Sequence, residues 1–296
     1  MPAPILRRTP HVPRMPALIR MQLQSMSTPF VLQEAHGFEY IAEGPETDRP
    51  DVVLLHGMLG DLSNWSTTIA CLAKHGFRVY APVLPVYNLP MLQTNVDGLV
   101  TYVANFIDQL DLRPTVLIGN SLGGHVALLL ALQRPEDVAA LVLAGASGIY
   151  EVDMGTSTLR RRDREFIRER AARTFYDPAH ATDELVDEML ALVNNRKRAL
   201  RLLKMARSAQ SETVTESLSR IDAPTLLIWG ANDEITPPDV AHEFQSRLGN
   251  AELRFIDHCG HAPMIEHPGN FNDITLEFLQ RTMGAPETSE TPADSS

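Results

Sequence analysis

Cysteine is nearly missing from this chain, with Cys71 and Cys259 the two instances in 296 residues. They lie far apart, which reads as two thiols in a reducing compartment rather than a disulfide framework and argues against redox chemistry. No run of about 18 apolar residues occurs, so no membrane-spanning helix is expected. Positive charge is also short. With 26 Lys and Arg against 37 Asp and Glu, the net charge is -11. A protein that lives on nucleic acid needs the reverse, because its affinity comes from clustered cations that release counterions. The one basic-looking stretch, "LRRRDREFIRER" (159–170), interleaves Asp163, Glu165 and Glu169 with its arginines and reads as a solvated helix face. Together these features point to a cytoplasmic protein whose partners are small molecules and water. Acid is missing from the first 33 residues, which hold Arg7, Arg8, Arg14 and Arg20. They lack the apolar core of a secretory signal. Residues 1–29 read as a disordered leader, with a start at Met26 and an organelle transit peptide as the alternatives. Residues 284–296, small, polar and acidic, read as a disordered tail.

What is present is a rhythm. Hydrophobic residues make up 44% of the chain, enough for one large α/β core. Between Asp51 and Ala146, apolar β-like runs ("DVVLLHG", "FRVYAP", "TVLIG", "AALVLAGA") alternate with helical patterns at Ser66–His75, Val96–Leu110 and Leu122–Gln133. That alternation predicts parallel strands joined by crossover helices, with both sheet faces covered. Between Ser147 and Ile221 the rhythm stops, and helices are predicted at Asp163–Arg173, Asp183–Val193 and Arg198–Gln210. Thr182 is placed to cap the second of these, with Asp183 and Glu184 in its first turn. The alternation then resumes with "APTLLIWG", a helix at Asp239–Leu248, "AELRFIDH" and a last helix at Phe271–Met283. The domain reading is a core of residues 30–146 and 222–283, with a helical cap at 147–221.

"LIGNSLGGHVALLLAL" (117–132) places a serine on the corner between a strand and a helix. Gly119-Asn120-Ser121-Leu122-Gly123 has the G-x-S-x-G spacing of a nucleophile elbow, where the sharp turn leaves no room for side chains two residues before and after the serine. The first-turn N–H of Leu122 then points to where an oxyanion forms. Serine needs a base, and the base needs an orienting acid. His261, in the loop "HCGHAPMIEHP" after an apolar strand, is the expected base. His258, His242 and His267 read as turn, helix and helix-start residues. Asp233 in "WGANDEITPP" is the expected acid in preference to Glu234, because "ITPP" reads as a turn that aims one carboxylate inward. In "VVLLHGMLGDLSNW", the N–H of Met58 is the expected second oxyanion donor, with His56 bracing that loop. His125 reads as a core residue and Cys259 as inert.

These motifs, "HGMLG", "GNSLGG", "WGANDEITPP" and "CGHAPMIEHP", resemble those of the α/β-hydrolase superfamily over residues 30–283. The resemblance implies an α/β-hydrolase fold, an eight-stranded, mostly parallel sheet with helices on both faces and a cap inserted after the sixth strand. The cap would cover Ser121, with Leu159, Phe166, Phe175, Met189, Leu192 and Met205 as candidates either to line the pocket or to hold the cap together. Asn120 before the serine is similar to the enzymes that hydrolyse carbon–carbon bonds in aromatic ring-cleavage products, which marks Asn120 as a substrate-binding candidate. That subfamily's cap arginine, which would bind a substrate carboxylate, falls at Met189 here, and its Trp after the base is Ala262. A buried carboxylate without a cation is strongly disfavoured, and Arg196 and Arg198 read as exposed. The expected activity is therefore hydrolysis of a small to medium ester of an uncharged acid through an acyl-enzyme, with no metal or organic cofactor. The alternatives are a carbon–carbon bond hydrolase, an acyltransferase and a non-catalytic ligand-binding protein.

Overall fold

The computed structural model describes residues 30–152 and 163–284. The expected leader, nearly all of the acidic tail and Leu159 lie outside the described residues. Eight strands form one sheet: β1 (Leu32–Ala35), β2 (Phe38–Glu43), β3 (Asp51–Leu55), β4 (Val79–Pro82), β5 (Thr115–Asn120), β6 (Val138–Ala144), β7 (Thr225–Gly230) and β8 (Ala251–Ile256). Their order is β1-β2-β4-β3-β5-β6-β7-β8. The pairs β1–β2 and β2–β4 are antiparallel, and every pair from β4 to β8 is parallel.

The parallel strands are apolar on both sides because helices cover both sides. The helices are α1 (Ser66–Lys74), α2 (Val96–Leu110), α3 (Leu122–Gln133), α4 (Arg164–Ala172), α5 (Asp183–Asn194), α6 (Arg196–Ser211), α7 (Pro238–Arg247), α8 (Pro263–Glu266) and α9 (Pro268–Met283). Alternate residues of one strand go to opposite faces. Val53, Leu55, Leu117, Leu141 and Leu227 pack with α2, α3 and α7. Val52, Leu54, Val116, Ile118 and Leu226 pack with α1 and α9.

Helices α4, α5 and α6 fall between β6 and β7, where the alternation of the sequence breaks. Two of their starts are capped as their sequences suggest: Asp163 Oδ1 accepts from Glu165 and Phe166 N, and Thr182 Oγ1 accepts from Leu185 N. Phe166, Ile167, Ala171, Ala181 and Val186 form a small cluster of their own in this insert. Met205 instead joins the main core with Leu84 and Leu89, so α6 is the helix that docks the insert onto the sheet domain.

Candidate active site

β5 ends at Asn120 and α3 begins at Leu122, which leaves Ser121 alone on the corner with φ 52 and ψ -117. A non-glycine backbone held there costs about 1–3 kcal/mol. The surroundings hold it: Ser121 N donates to Ala144 O at 3.0 Å, and Ser121 O accepts from both His125 N and Ser147 N at 3.1 Å. The flanking glycines follow from contact distances. A Cβ on Gly119 would lie 2.5 Å from the backbone of Gly123, and one on Gly123 would lie 2.1 Å from Leu55 O. Gly123→Ala is therefore expected to destabilise the fold by roughly 3 kcal/mol, which for a domain of this size lowers Tm by roughly 6–12 °C. Thermal unfolding followed by circular dichroism reads this directly, and an unchanged Tm would mean that the corner is not crowded.

The loop after β3 lies against this corner. A Cβ on Gly57 would be 3.4 Å from Ser121 Cβ. Buried His56 fixes the loop with both ring nitrogens: Nδ1 donates to Gly57 O at 2.9 Å and Nε2 accepts from Leu84 N at 3.2 Å. This assignment leaves one neutral tautomer, and burial lowers the ring's pKa in agreement with it. Tyr87 Oη donates to Met58 O. Burial raises the pKa of that phenol, which keeps it a donor, while the charge of Arg198 opposes the rise. Arg198 is thus half-buried and within electrostatic reach of the site, whereas Arg196 is exposed.

The buried pair Asp233 and His261 comes from the carboxyl ends of β7 and β8. Asp233 Oδ2 accepts from His261 Nδ1 at 2.9 Å and from Thr236 Oγ1 at 3.0 Å. Asp233 Oδ1 accepts from the backbone N–H groups of Ile235 at 2.8 Å and Thr236 at 3.0 Å. The Ile-Thr-Pro-Pro turn therefore aims the carboxylate inward, while neighbouring Glu234 points out to pair with Arg173. Burial disfavours the charged form of His261, but the charge and hydrogen bond of Asp233 outweigh it, with smaller contributions from Glu151 and Glu266. The ring's pKa is held above the ordinary histidine value. Gly145 makes room for the pair, since a Cβ there would lie 3.0 Å from His261 Nδ1 and 3.1 Å from Asp233 Oδ2.

The two substrate-binding candidates each have protein partners. Asn120 Nδ2 donates to Ala144 O at 2.9 Å and to His261 O at 3.0 Å. Its amide hydrogens are thus spent on tying the base's backbone to the elbow. Met189 packs on the separate cluster of the helical insert, with Phe166 and Val186. Ser121 Oγ makes its one hydrogen-bond contact among the described residues with Ser147 Oγ, at 3.5 Å. No hydrogen bond joins it to His261 in this state, and such bonds tighten when substrate arrives.

Sequence reasoning missed three contributors: Ser147, Tyr87 and Glu266. Glu266 Oε1 accepts from Gly260 N and Oε2 from Tyr176 N, each at 2.7 Å. His261 N donates to Thr174 O at 2.8 Å. The histidine loop is thereby fastened to the insert between α4 and α5. Burial, then Glu266 and Asp233, push the Cys259 thiol well above its ordinary pKa, as an inert residue requires. His125 is fully buried, and burial lowers its pKa to about 4 against a smaller opposing effect of the Glu212 backbone. His258 is a turn residue with φ 52. Among the described residues, no three His, Cys, Asp or Glu side chains gather to hold a metal ion, and no helix is long and apolar enough to cross a membrane.

A strand-corner serine and a buried Asp–His pair at the carboxyl edge of one parallel sheet are the arrangement of the hydrolase class built on this α/β architecture. The chain belongs to the alpha/beta hydrolase fold family, whose sequence profile matches residues 50–268. It is 30% identical over 258 residues to a 2-hydroxy-6-oxononadienedioate/2-hydroxy-6-oxononatrienedioate hydrolase of Pseudomonas putida, covering 80% of this chain and 89% of that one. Among solved structures, an α/β hydrolase from the sediment metagenome of the Mar Chica lagoon, Morocco, is 34% identical with a TM-score of 0.70, covering 85% of this chain and 98% of that one. A meta-cleavage product hydrolase from Pseudomonas fluorescens is 25% identical with a TM-score of 0.70, covering 83% and 95%. The names of the curated relative and of the Pseudomonas fluorescens enzyme match the carbon–carbon alternative better than the ester hydrolysis expected first.

Proposed function

We propose that this hydrolase cleaves a carbon–carbon bond next to a ketone in a 2-hydroxy-6-oxo-dienoate of the meta-cleavage type. The observation that carries the reading is sequence likeness sustained over 80% of the chain to a hydrolase named for such a substrate. Ser121 is the nucleophile, His261 its base and Asp233 the orienting acid. Met58 and Leu122 N–H hold the oxyanion. The 2-hydroxyl proton first moves to C5, giving the 2,6-dioxo tautomer, and attack of Ser121 Oγ on its C6 carbonyl, with the serine proton passing to His261, gives a tetrahedral oxyanion. Its collapse breaks the C5–C6 bond, the electron pair passes through C4 and C3 to the C2 oxygen as a dienolate, and the His261 proton is returned to it. Water, deprotonated by His261, then frees the acyl group.

The weak point of a carboxylate substrate in this chain was the loss of the cap arginine at Met189. Arg198 answers it. Its half-buried guanidinium lowers the Tyr87 pKa against the effect of burial, and Tyr87 in turn bonds Met58 O, which supports Arg198 as the cation for a substrate carboxylate. The expected result is that the purified protein bleaches the yellow chromophore of 2-hydroxy-6-oxononadienedioate with a kcat/KM well above that for any p-nitrophenyl ester. The reverse order restores the ester reading. An added alcohol that intercepts the acyl group ahead of water points to acyl transfer.

A further inference from the structure

Helix α6 runs against the charge of the rest of the molecule. The chain carries -11, yet Arg196, Lys197, Arg198, Arg201, Lys204 and Arg207 fall within this one helix, which holds no acid. Elsewhere in the insert, arginines find carboxylates: Arg164 and Arg168 pair with Asp183, and Arg173 with Glu234. None of the six cations of α6 has such an ion pair among the described residues. Half-buried Arg198 is assigned to the substrate carboxylate, and two more are spent differently. Arg201 Nε donates to Leu89 O at 2.9 Å, and Lys204 Nζ donates to Met91 O. These bonds fasten the 89–92 segment to the helix and present its apolar side chains beside the cations. Leu92 is 89% exposed, Leu200 49% and Met91 43%.

We propose that this face of α6, with the Met91–Leu92 turn, docks on an anionic lipid surface. Unpaired cations alone would suit any polyanion, but three exposed aliphatic side chains among them suit a hydrocarbon boundary beneath a layer of anionic headgroups. A nucleic-acid face would instead need aromatic or planar groups on which bases stack, and α6 has no aromatic residue. The same segment that carries Leu92 carries Tyr87, the phenol bonded to Met58. Docking there turns the loop that carries Tyr87 toward the bilayer.

The test is flotation of the full chain with phosphatidylcholine vesicles, with and without phosphatidylglycerol. Binding is expected to the phosphatidylglycerol vesicles alone and to fall as salt rises. The double variant Arg196→Gln, Lys197→Gln is expected to weaken it by roughly ten- to thirty-fold, since each cation near such a surface contributes about fivefold. Leu92→Ser is expected to weaken it several-fold at constant charge. Neither variant touches the site, so hydrolysis of a soluble substrate stays at its parent rate. Failure to float with phosphatidylglycerol overturns the proposal, as does binding indifferent to Leu92→Ser. Capture by polyglutamate in place of vesicles would reassign the face to an acidic protein and overturn it equally.

Discussion

Ser121→Ala is expected to lower kcat/KM by roughly four to six orders of magnitude, because the nucleophile and base act as one unit and removing either forfeits the covalent route. The variant should remain folded. The loss is a hydroxyl whose single hydrogen-bond contact among the described residues is Ser147 Oγ at 3.5 Å, and alanine meets the same backbone strain at φ 52 as serine does. Comparing kcat/KM on the dienedioate and on a p-nitrophenyl ester separates two cases. A fall on both places all the chemistry at Ser121. An unchanged rate on either substrate would remove the serine from that reaction and the triad assignment with it.

Asp233→Asn is expected to cost about 10⁴-fold in kcat/KM, for a reason visible in the donor count around the carboxylate. Four donors converge on its two oxygens: Ile235 N and Thr236 N on Oδ1, Thr236 Oγ1 and His261 Nδ1 on Oδ2. An asparagine can satisfy the two backbone donors with its carbonyl. Its amino group then faces His261 Nδ1, which must become an acceptor. The ring proton moves to Nε2, and the imidazole presents a donor where it should take the serine's proton. The pH profile provides the sign. In the parent, Asp233 raises the His261 pKa, so kcat/KM grows as pH rises through a value above the ordinary histidine range. In the variant, that limb should shift to lower pH while the plateau drops. A dropped plateau with an unmoved limb would assign the titration to another group.

Much of this arrangement was legible because its signals are local. Helix α2 has the limits read from its periodicity: Asn95 Oδ1 caps it by accepting from Gly98 N at 2.8 Å, and Asp111 ends it with φ 54. The elbow was legible for the same reason, since Gly119 and Gly123 are required by contacts with the corner itself and with the adjacent β3 strand. The hairpin of β1 and β2 was missed in the residue pattern. β1 is four residues at the sheet's edge with no fully buried position, so it lacks the continuous apolar run that marked the parallel strands. Partners far apart in sequence were also hidden. The bond of the Asn120 amide to His261 O, 141 residues away, leaves no mark in the sequence pattern. Glu266 reads as a surface acid until both its oxygens are seen to be occupied. Tyr87 could have been suspected only from its place in a Pro- and Asn-rich loop, which carries no pattern of its own.

The fastening at Glu266 makes the insert and the His261 loop one mechanical body. A displacement of Thr174–Tyr176 must either carry Glu266 and His261 along or break the bonds Tyr176 N to Glu266 Oε2 and His261 N to Thr174 O. Breaking both costs roughly 2–4 kcal/mol, since one of them ends on a carboxylate. A substrate whose far end pulls on the insert therefore also pulls on the imidazole, and contacts made well away from the scissile bond are felt as alignment of the proton acceptor.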